Sequence, residues 1–381
     1  MKNLKNLFFL FFFAFAGGAQ AKNISLQLNL TTTTDRLLSG SFTSANANLD
    51  PDMKGFQLSN PDNIVNSFSG DSEGSQRYAG FSLSGNTSII KLVGQKYGAA
   101  IEIPLELVAF DASSSANGND GTAVIEGTCK GSDLSHLVSP GVFKSVAKPK
   151  GQNFCTTSSH AFSFQDSVTP FLVNSANYQW KIKDGKNFSN IFNEKYYPAD
   201  IYKGSAHIQS TEVNITNPST GSKDLFTGGF ILDIVWDNKP YINSVTTASP
   251  YLQIFVSEVG GNDYVGNGST FISVSGALGK SLKVTPRSKN SEIGKMYADV
   301  PGHSPIPYEM EITSLNSGER FKLIDGKVGK GSVAEFKTYS IDDSLNMSFR
   351  LDAKASATII TSNRVIFTED ITLVFETNEL F

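Results

Sequence analysis

Apolar residues recur at every second position over most of this chain. "KNISLQLNL" sets Ile24, Leu26, Leu28 and Leu30 on one face, and "AIEIPLELVAF" does the same with Ile101, Ile103, Leu105 and Leu107 against Glu102 and Glu106. "GGFILDIVW" aligns Phe230, Leu232, Ile234 and Trp236, "YLQIFV" aligns Leu252, Ile254 and Val256, and "LNMSFRLDAKA" aligns Leu345, Met347, Phe349, Leu351 and Ala353. A period of two marks a strand buried on one face and wet on the other, the signature of antiparallel sheets. "KDGK" (Lys183 to Lys186) and "IDGK" (Ile324 to Lys327) carry the Asp-Gly pair that supplies positive φ at a hairpin turn. "ASSSANGNDG" (Ala112 to Gly121) and "GGNDYVGNG" (Gly260 to Gly268) read as longer polar loops. With no sustained 3.6-residue period, the pattern predicts an all-β protein of two antiparallel β-sandwich domains.

Composition changes this picture at the N-terminus. Lys2 and Lys5, the apolar run "LFFLFFFAFA" and the small residues "AQA" form a secretory signal peptide over residues 1–21. The apolar run is about half of the ~20 residues that a spanning helix needs. A boundary is expected near "YKGSA", dividing residues 22–204 from residues 205–381. The formal net charge of -4, spread over the whole length, gives no reason to expect nucleic acid as a partner.

Cys129 and Cys155 are the two cysteines. In an exported chain an even count reads as one disulfide, with two buried free thiols as the alternative. The bridge would close a loop of about 25 residues, a constraint worth on the order of 3 kcal/mol. That loop holds Lys130, Lys144, Lys148 and Lys150 against the single acid Asp133. It reads either as a preorganised cationic patch for sulfate, sialate or phosphate groups or as a solvated loop whose lysines keep it soluble. Tyr178 and Trp180, at alternate positions nearby, are candidates for stacking on a sugar ring, with a place in the core as the alternative for Trp180. No cofactor or metal site is expected. "GDSEG" fits the G-x-S-x-G pattern of a serine nucleophile, Ser72, yet the flanking residues read as strand on both sides rather than as the required strand-to-helix turn. A secreted serine hydrolase is thus an alternative function, though no catalytic residue is expected on the main reading.

"DITLVFETNELF", at the end of the sequence, raises a second alternative, the last strand of an outer-membrane β-barrel. Counting back from Phe381 by twos meets Glu379 and Thr377, so the apolar register breaks at the end. Together with the signal peptide, the all-β pattern and the cysteine pair, "RVIFTEDITLVFETNELF" resembles minor subunits and tip adhesins of chaperone–usher fimbriae, nearest the enterotoxigenic colonisation-factor type. The resemblance implies that the two sandwiches are immunoglobulin-like, an N-terminal receptor-binding domain and a C-terminal pilin-like domain that lacks its last strand. It makes Ile371, Leu373 and Phe375 the wall of a groove filled by a periplasmic chaperone and then by a neighbouring pilin subunit, after export through the outer-membrane usher to the fimbrium on the cell surface. Host glycolipid or glycoprotein would be the receptor. Leu380 and Thr368 stand where many pilins have an aromatic and a glycine. "KNISLQLNLTTTT" is either a strand donated to a neighbour, which suits an internal subunit, or the first strand of its own domain, which suits the tip.

Overall fold

The computed structural model describes residues 24–60, 65–68, 77–82, 88–115, 121–123, 134–139, 142–147, 162–164, 171–216, 223–290, 292–358 and 365–378. Its described residues are all-β apart from short helical turns, and they form two strand-rich units, each around its own apolar cluster.

The first unit contains β1 (Ile24–Thr32), β2 (Leu38–Phe42), β3 (Ala47–Leu49), β4 (Gly55–Asn60), β5 (Ser88–Gly94), β6 (Ala100–Ser115), β7 (Phe171–Ile182), β8 (Asp200–Thr216) and β9 (Lys223–Asn238). Hydrogen bonding runs in the order β2-β1-β9-β8-β5-β6-β7-β4-β3, with shorter strands attached beside this path. The two ends of the path, β2 and β3, are joined by residues 43–46, so the sheet wraps round and returns on itself. Rings that are distant along the sheet meet inside it. Phe42 lies 5.4 Å from Phe56, and Phe230 lies 6.5 Å from Phe56 and 6.1 Å from Trp180. The expected pair of separate sheets is, in this unit, one continuous curled sheet.

Its alternation follows the sequence closely. Leu26, Leu28 and Leu30 of β1, Ile101, Ile103, Leu105 and Leu107 of β6, and Phe230, Leu232, Ile234 and Trp236 of β9 are all buried. Between them Ser25, Gln27, Lys91, Glu102 and Lys203 face solvent. Apolar side chains inside and charges outside is the reverse of a lipid-facing barrel, whose outward positions are apolar. The described strands therefore correct the outer-membrane alternative.

A helix, α1 (Phe188–Asn193), follows β7. Asn187 caps it, accepting from the Asn190 backbone N–H at 2.7 Å while Asn190 returns the bond, and Phe188, Ile191 and Phe192 are buried. The "KDGK" turn has positive φ at Asp184 and Gly185, as its composition requires, but it leads into this helix rather than into a hairpin partner.

The second unit contains β10 (Tyr241–Thr247), β11 (Phe255–Gly260), β12 (Asp263–Ala277), β13 (Ser281–Ser288), β14 (Ile306–Ser314), β15 (Arg320–Asp325), β16 (Ala334–Lys337), a one-turn helix α2 (Ile341–Leu345), β17 (Asn346–Thr358) and β18 (Ile371–Thr377). One sheet runs β10-β12-β17-β14, with β11 continuing along the same edge of β12 and β15 paired to β14. The other runs β16-β13-β18. Val274, Ile312, Met347 and Phe349 from the first sheet meet Leu282, Val284 and Phe336 from the second in a single core, as the period-two pattern of "LNMSFRLDAKA" predicts. The expected loop Gly260 to Gly268 is instead a two-residue hairpin turn. Gly261 and Asn262 both take positive φ, and β12 begins at Asp263, paired to Gly260.

The expected division at 204/205 falls inside β8, which runs unbroken through it. The first cluster extends to Trp236, and the change to the second comes between Asn238 and Tyr241. Gly204, within the "YKGSA" stretch, is a strand glycine. A Cβ there would lie 2.3 Å from the Lys91 carbonyl oxygen, so the residue answers to close approach of β5, not to a turn.

Candidate functional site

The most distinctive feature of the second unit is the edge strand β18. It pairs antiparallel with β13, Ile371 opposite Ser288, Leu373 opposite Pro286 and Phe375 opposite Val284. No described strand pairs with its other side. Ile371, Leu373 and Phe375 are half-buried and pack on the second core, where Phe375 lies 6.3 Å from Phe349, centroid to centroid. Pro286 is tolerated because β13 pairs with β16 only over Ser281–Val284, which leaves the proline unpaired on that side.

Facing β18 is β10, which among the described strands is paired on one side only, to β12. The two strands come within 8 Å of each other at Cα. Burial on β10 falls from Tyr241 to a run of exposed positions, with Val245 47% accessible. Two unpaired strand edges thus flank a stretch of half-covered core. At one end the gap opens into a cleft of about 480 Å³, lined by Tyr241, Ile242, Phe375 and Asn378 of the second unit and by Thr34 of the first.

The first unit grips this same end. Arg36, at positive φ, sets its guanidinium over the rings of Tyr196 (5.4 Å) and Tyr241 (5.5 Å) and donates to Asn243 Oδ1 at 3.3 Å and Asn193 Oδ1 at 3.4 Å. Burial pushes the Tyr241 hydroxyl pKa up, and the nearby guanidinium works against that shift. On the other wall, the Tyr97 hydroxyl donates to the Gly279 carbonyl at 3.0 Å and lies 2.8 Å from the Thr338 hydroxyl. Gly279 forms an isolated bridge with Asn378, directly after β18. Buried Asp200 holds the Tyr97 loop by accepting from the backbone N–H of Lys96 (2.8 Å) and of Tyr97 (3.1 Å). Sequence reading missed Arg36 and Tyr97, which carry no local motif and matter through partners roughly two hundred residues away.

The other sequence candidates fare differently. Tyr178 and Trp180 are core residues, 4% and 0% accessible, and present no face to a sugar. The register of β7 turns both inward with Ile182, where Trp180 packs edge-on to Phe230. Lys130, Lys148, Lys150, Cys129 and Cys155 lie outside the described residues. Lys144 lies in the strand Val142–Ala147, opposite Leu137 and Ser113. Ser72 also lies outside the described residues. Of the histidines a hydrolase could use, His207 is exposed on β8, and His303 stands at the ring edge of Phe367, 6.3 Å away.

No protein-family model and no curated protein matches the sequence. Among solved structures, the chain is similar to one in a chaperone–tip adhesin complex of CFA/I fimbriae, at 12% identity and a TM-score of 0.37, covering 94% of this chain and 98% of that one. It is similar to a chain in the chaperone–tip adhesion subunit pre-assembly complex from the archaic chaperone–usher Csu pili of Acinetobacter baumannii, at 10% identity and a TM-score of 0.30, covering 93% and 98%. It is similar also to a tip adhesin from Pseudomonas aeruginosa, at 11% identity and a TM-score of 0.24, covering 93% and 95%.

Proposed function

We propose that this chain is a minor subunit of chaperone–usher fimbriae, of the enterotoxigenic colonisation-factor type, and that it acts as the tip adhesin. The observation that carries the reading is the open edge of β18. An immunoglobulin-type sandwich places strands A, B, E, D in one sheet and C, F, G in the other. In chain order β10 with β11, β12, β13, β14, β17 and β18 take positions A to F, and their pairings reproduce A-B-E-D and C-F. No described segment takes the place of G. One departure is β16, which follows β14 in the chain yet pairs with the far side of β13.

An exposed strand edge is an aggregation hazard that proteins blunt with lysine, proline or bulges. "ITLVFET" has none of these, and its apolar row remains half-covered. Such an edge is suited to being covered by another chain's strand, the main chain supplying affinity and the alternate side chains supplying fit. Each apolar side chain that goes from half-covered to covered contributes roughly 1 kcal/mol. The periplasmic chaperone would fill the groove first, and the N-terminal extension of a neighbouring pilin would replace it after passage through the usher. The first strand argues for the tip. β1 is paired parallel to β9 and antiparallel to β2, with Leu26, Leu28 and Leu30 buried, so the segment is committed to its own unit and is not free to be donated.

On this reading the first unit binds a host glycoconjugate, and the lysine loop with the Cys129–Cys155 bridge remains the receptor-contact candidate. Its attraction to an acidic glycan should weaken with salt. The groove is tested by hydrogen exchange on the full chain, with and without a synthetic peptide matching a pilin N-terminal extension. Protection of residues 371–377 on adding the peptide, lost in Leu373→Asp, is the expected result. Unchanged exchange across this strand with every extension peptide tried would overturn the proposal.

A further inference from the structure

The geometry points to a second, neutral-sugar site on the outward face of the second unit, well away from the lysine loop in sequence. A cleft of about 520 Å³ lies between the segment 249–255, which runs along the edge of β12, and outward residues of β12 and β17, within the size range of small-ligand sites. Its floor is built by strand register. Ser269 of β12 stands opposite Asp352 of β17, and Asn267 and Arg350 lie one step to either side on the same face. Its walls are aromatic. Tyr251 is 78% accessible and Phe255 is 73% accessible, and Phe255 is the cross-strand partner of Asn267.

Exposed rings on a loop are ordinarily mobile, but this segment is tied down. Thr247 Oγ1 donates to the Ser249 carbonyl at 2.7 Å, Ser249 Oγ donates to the Tyr251 carbonyl at 2.8 Å, and the Tyr251 N–H donates back to Ser249 Oγ at 3.2 Å. The Tyr251 ring is therefore presented on a fixed backbone, which lowers the ordering cost of binding. Below it the single cation and the single anion of the cleft satisfy each other, Arg350 Nε donating to Asp352 Oδ1 at 2.9 Å. Lys354, opposite Asn267 on the same face, has Glu309 as its other cross-strand neighbour, so the cleft offers no unbalanced cation to the acidic groups that the lysine loop would attract. Amide, hydroxyl, guanidinium and carboxylate side chains converge with two aromatic faces. That combination matches a hexopyranose, whose hydroxyls need mixed donors and acceptors and whose C–H face needs an apolar plane.

This site stands independently of the groove on β18, and it would give an adhesin a second contact with a glycan. The experiment is saturation-transfer NMR on the full chain, with the groove peptide present, against neutral hexoses offered singly: galactose, glucose, mannose and their N-acetylated amines. Transfer should be strongest to the ring C–H protons. Binding should weaken roughly tenfold in Tyr251→Ala and in Phe255→Ala, as expected when one buried ring contact is lost. Both residues are exposed, so an unchanged thermal midpoint verifies that each variant folds. Affinity should also be the same at low and high salt. Absence of transfer from every hexose, or transfer that persists in both variants, overturns the site. Binding that falls with salt and disappears when Lys144, Lys148 and Lys150 become alanine also overturns it, and assigns sugar recognition to the lysine loop instead.

Discussion

Trp180 shows how one residue's role turns on register. Its spacing from Tyr178 placed both on one face of a strand, which was legible; which face was not, because nothing local says which side of β7 meets Phe230. The structure buries it completely, so Trp180→Ala should cost about 3–5 kcal/mol, the range for truncating a core aromatic. Urea unfolding measures this, and a loss under 1 kcal/mol would contradict the placement. The buried tyrosines make a second prediction. Burial, with Asp200 adding to it, holds the Tyr202 hydroxyl far above its ordinary pKa, and its O–H donates to the Pro198 carbonyl at 3.0 Å. Tyr308 is raised likewise, by burial first and by Glu369 second. In the unfolded chain such hydroxyls ionise near pH 10. Because the folded-state pKa is raised, this contribution is complete below about pH 10 and falls as pH climbs beyond it, where only the unfolded chain releases the proton. A thermal midpoint flat from pH 8 to about 9.5 and falling above should result, with a shallower fall in Tyr202→Phe.

At the scale of elements, the period-two pattern located the strands well because the solvent face of each is polar enough to show the alternation. What it could not supply was pairing. β1 lies parallel to β9, Leu28 beside Ile234, across a separation of about two hundred residues that leaves no trace in either segment. The same blindness misplaced the boundary, since nothing in the "YKGSA" stretch shows that β8 continues through Gly204 against β5. The helices α1 and α2 are too short for a 3.6-residue period to emerge, and their capping residues, Asn187 and Ser340, were the sole local signals. The packing of β1 has a direct consequence. Leu28→Ala should destabilise the first unit by about 2–5 kcal/mol. It should leave peptide binding at β18 unchanged, whereas a donated strand would show the opposite pattern, normal stability and failed assembly. Denaturation and groove-peptide affinity measured on the same variant separate the two.

For the whole molecule, the decisive arrangement is that the first unit holds both walls of the groove at one end. Arg36 clamps Tyr241 and Asn243 of β10, and Tyr97 clamps Gly279, the bridge partner of Asn378 beyond β18. Neither contact belongs to the main core of either unit, yet each fixes a strand that, on the proposed function, an incoming strand would lie between. Cation–π and hydrogen-bond contacts of this kind are worth roughly 1–2 kcal/mol each when partly buried. Removing both should therefore uncouple the units without unfolding either. Arg36→Ala with Tyr97→Phe is expected to split one thermal transition into two, and to weaken groove-peptide binding because the walls are no longer preset. The single variants should lie between, since the two contacts share no residue and act on opposite walls. Scanning calorimetry with and without the peptide distinguishes this from a loss of fold. If the double variant melts in one transition at an unchanged temperature and binds the peptide as before, the contacts are incidental and the groove is set by the second unit alone.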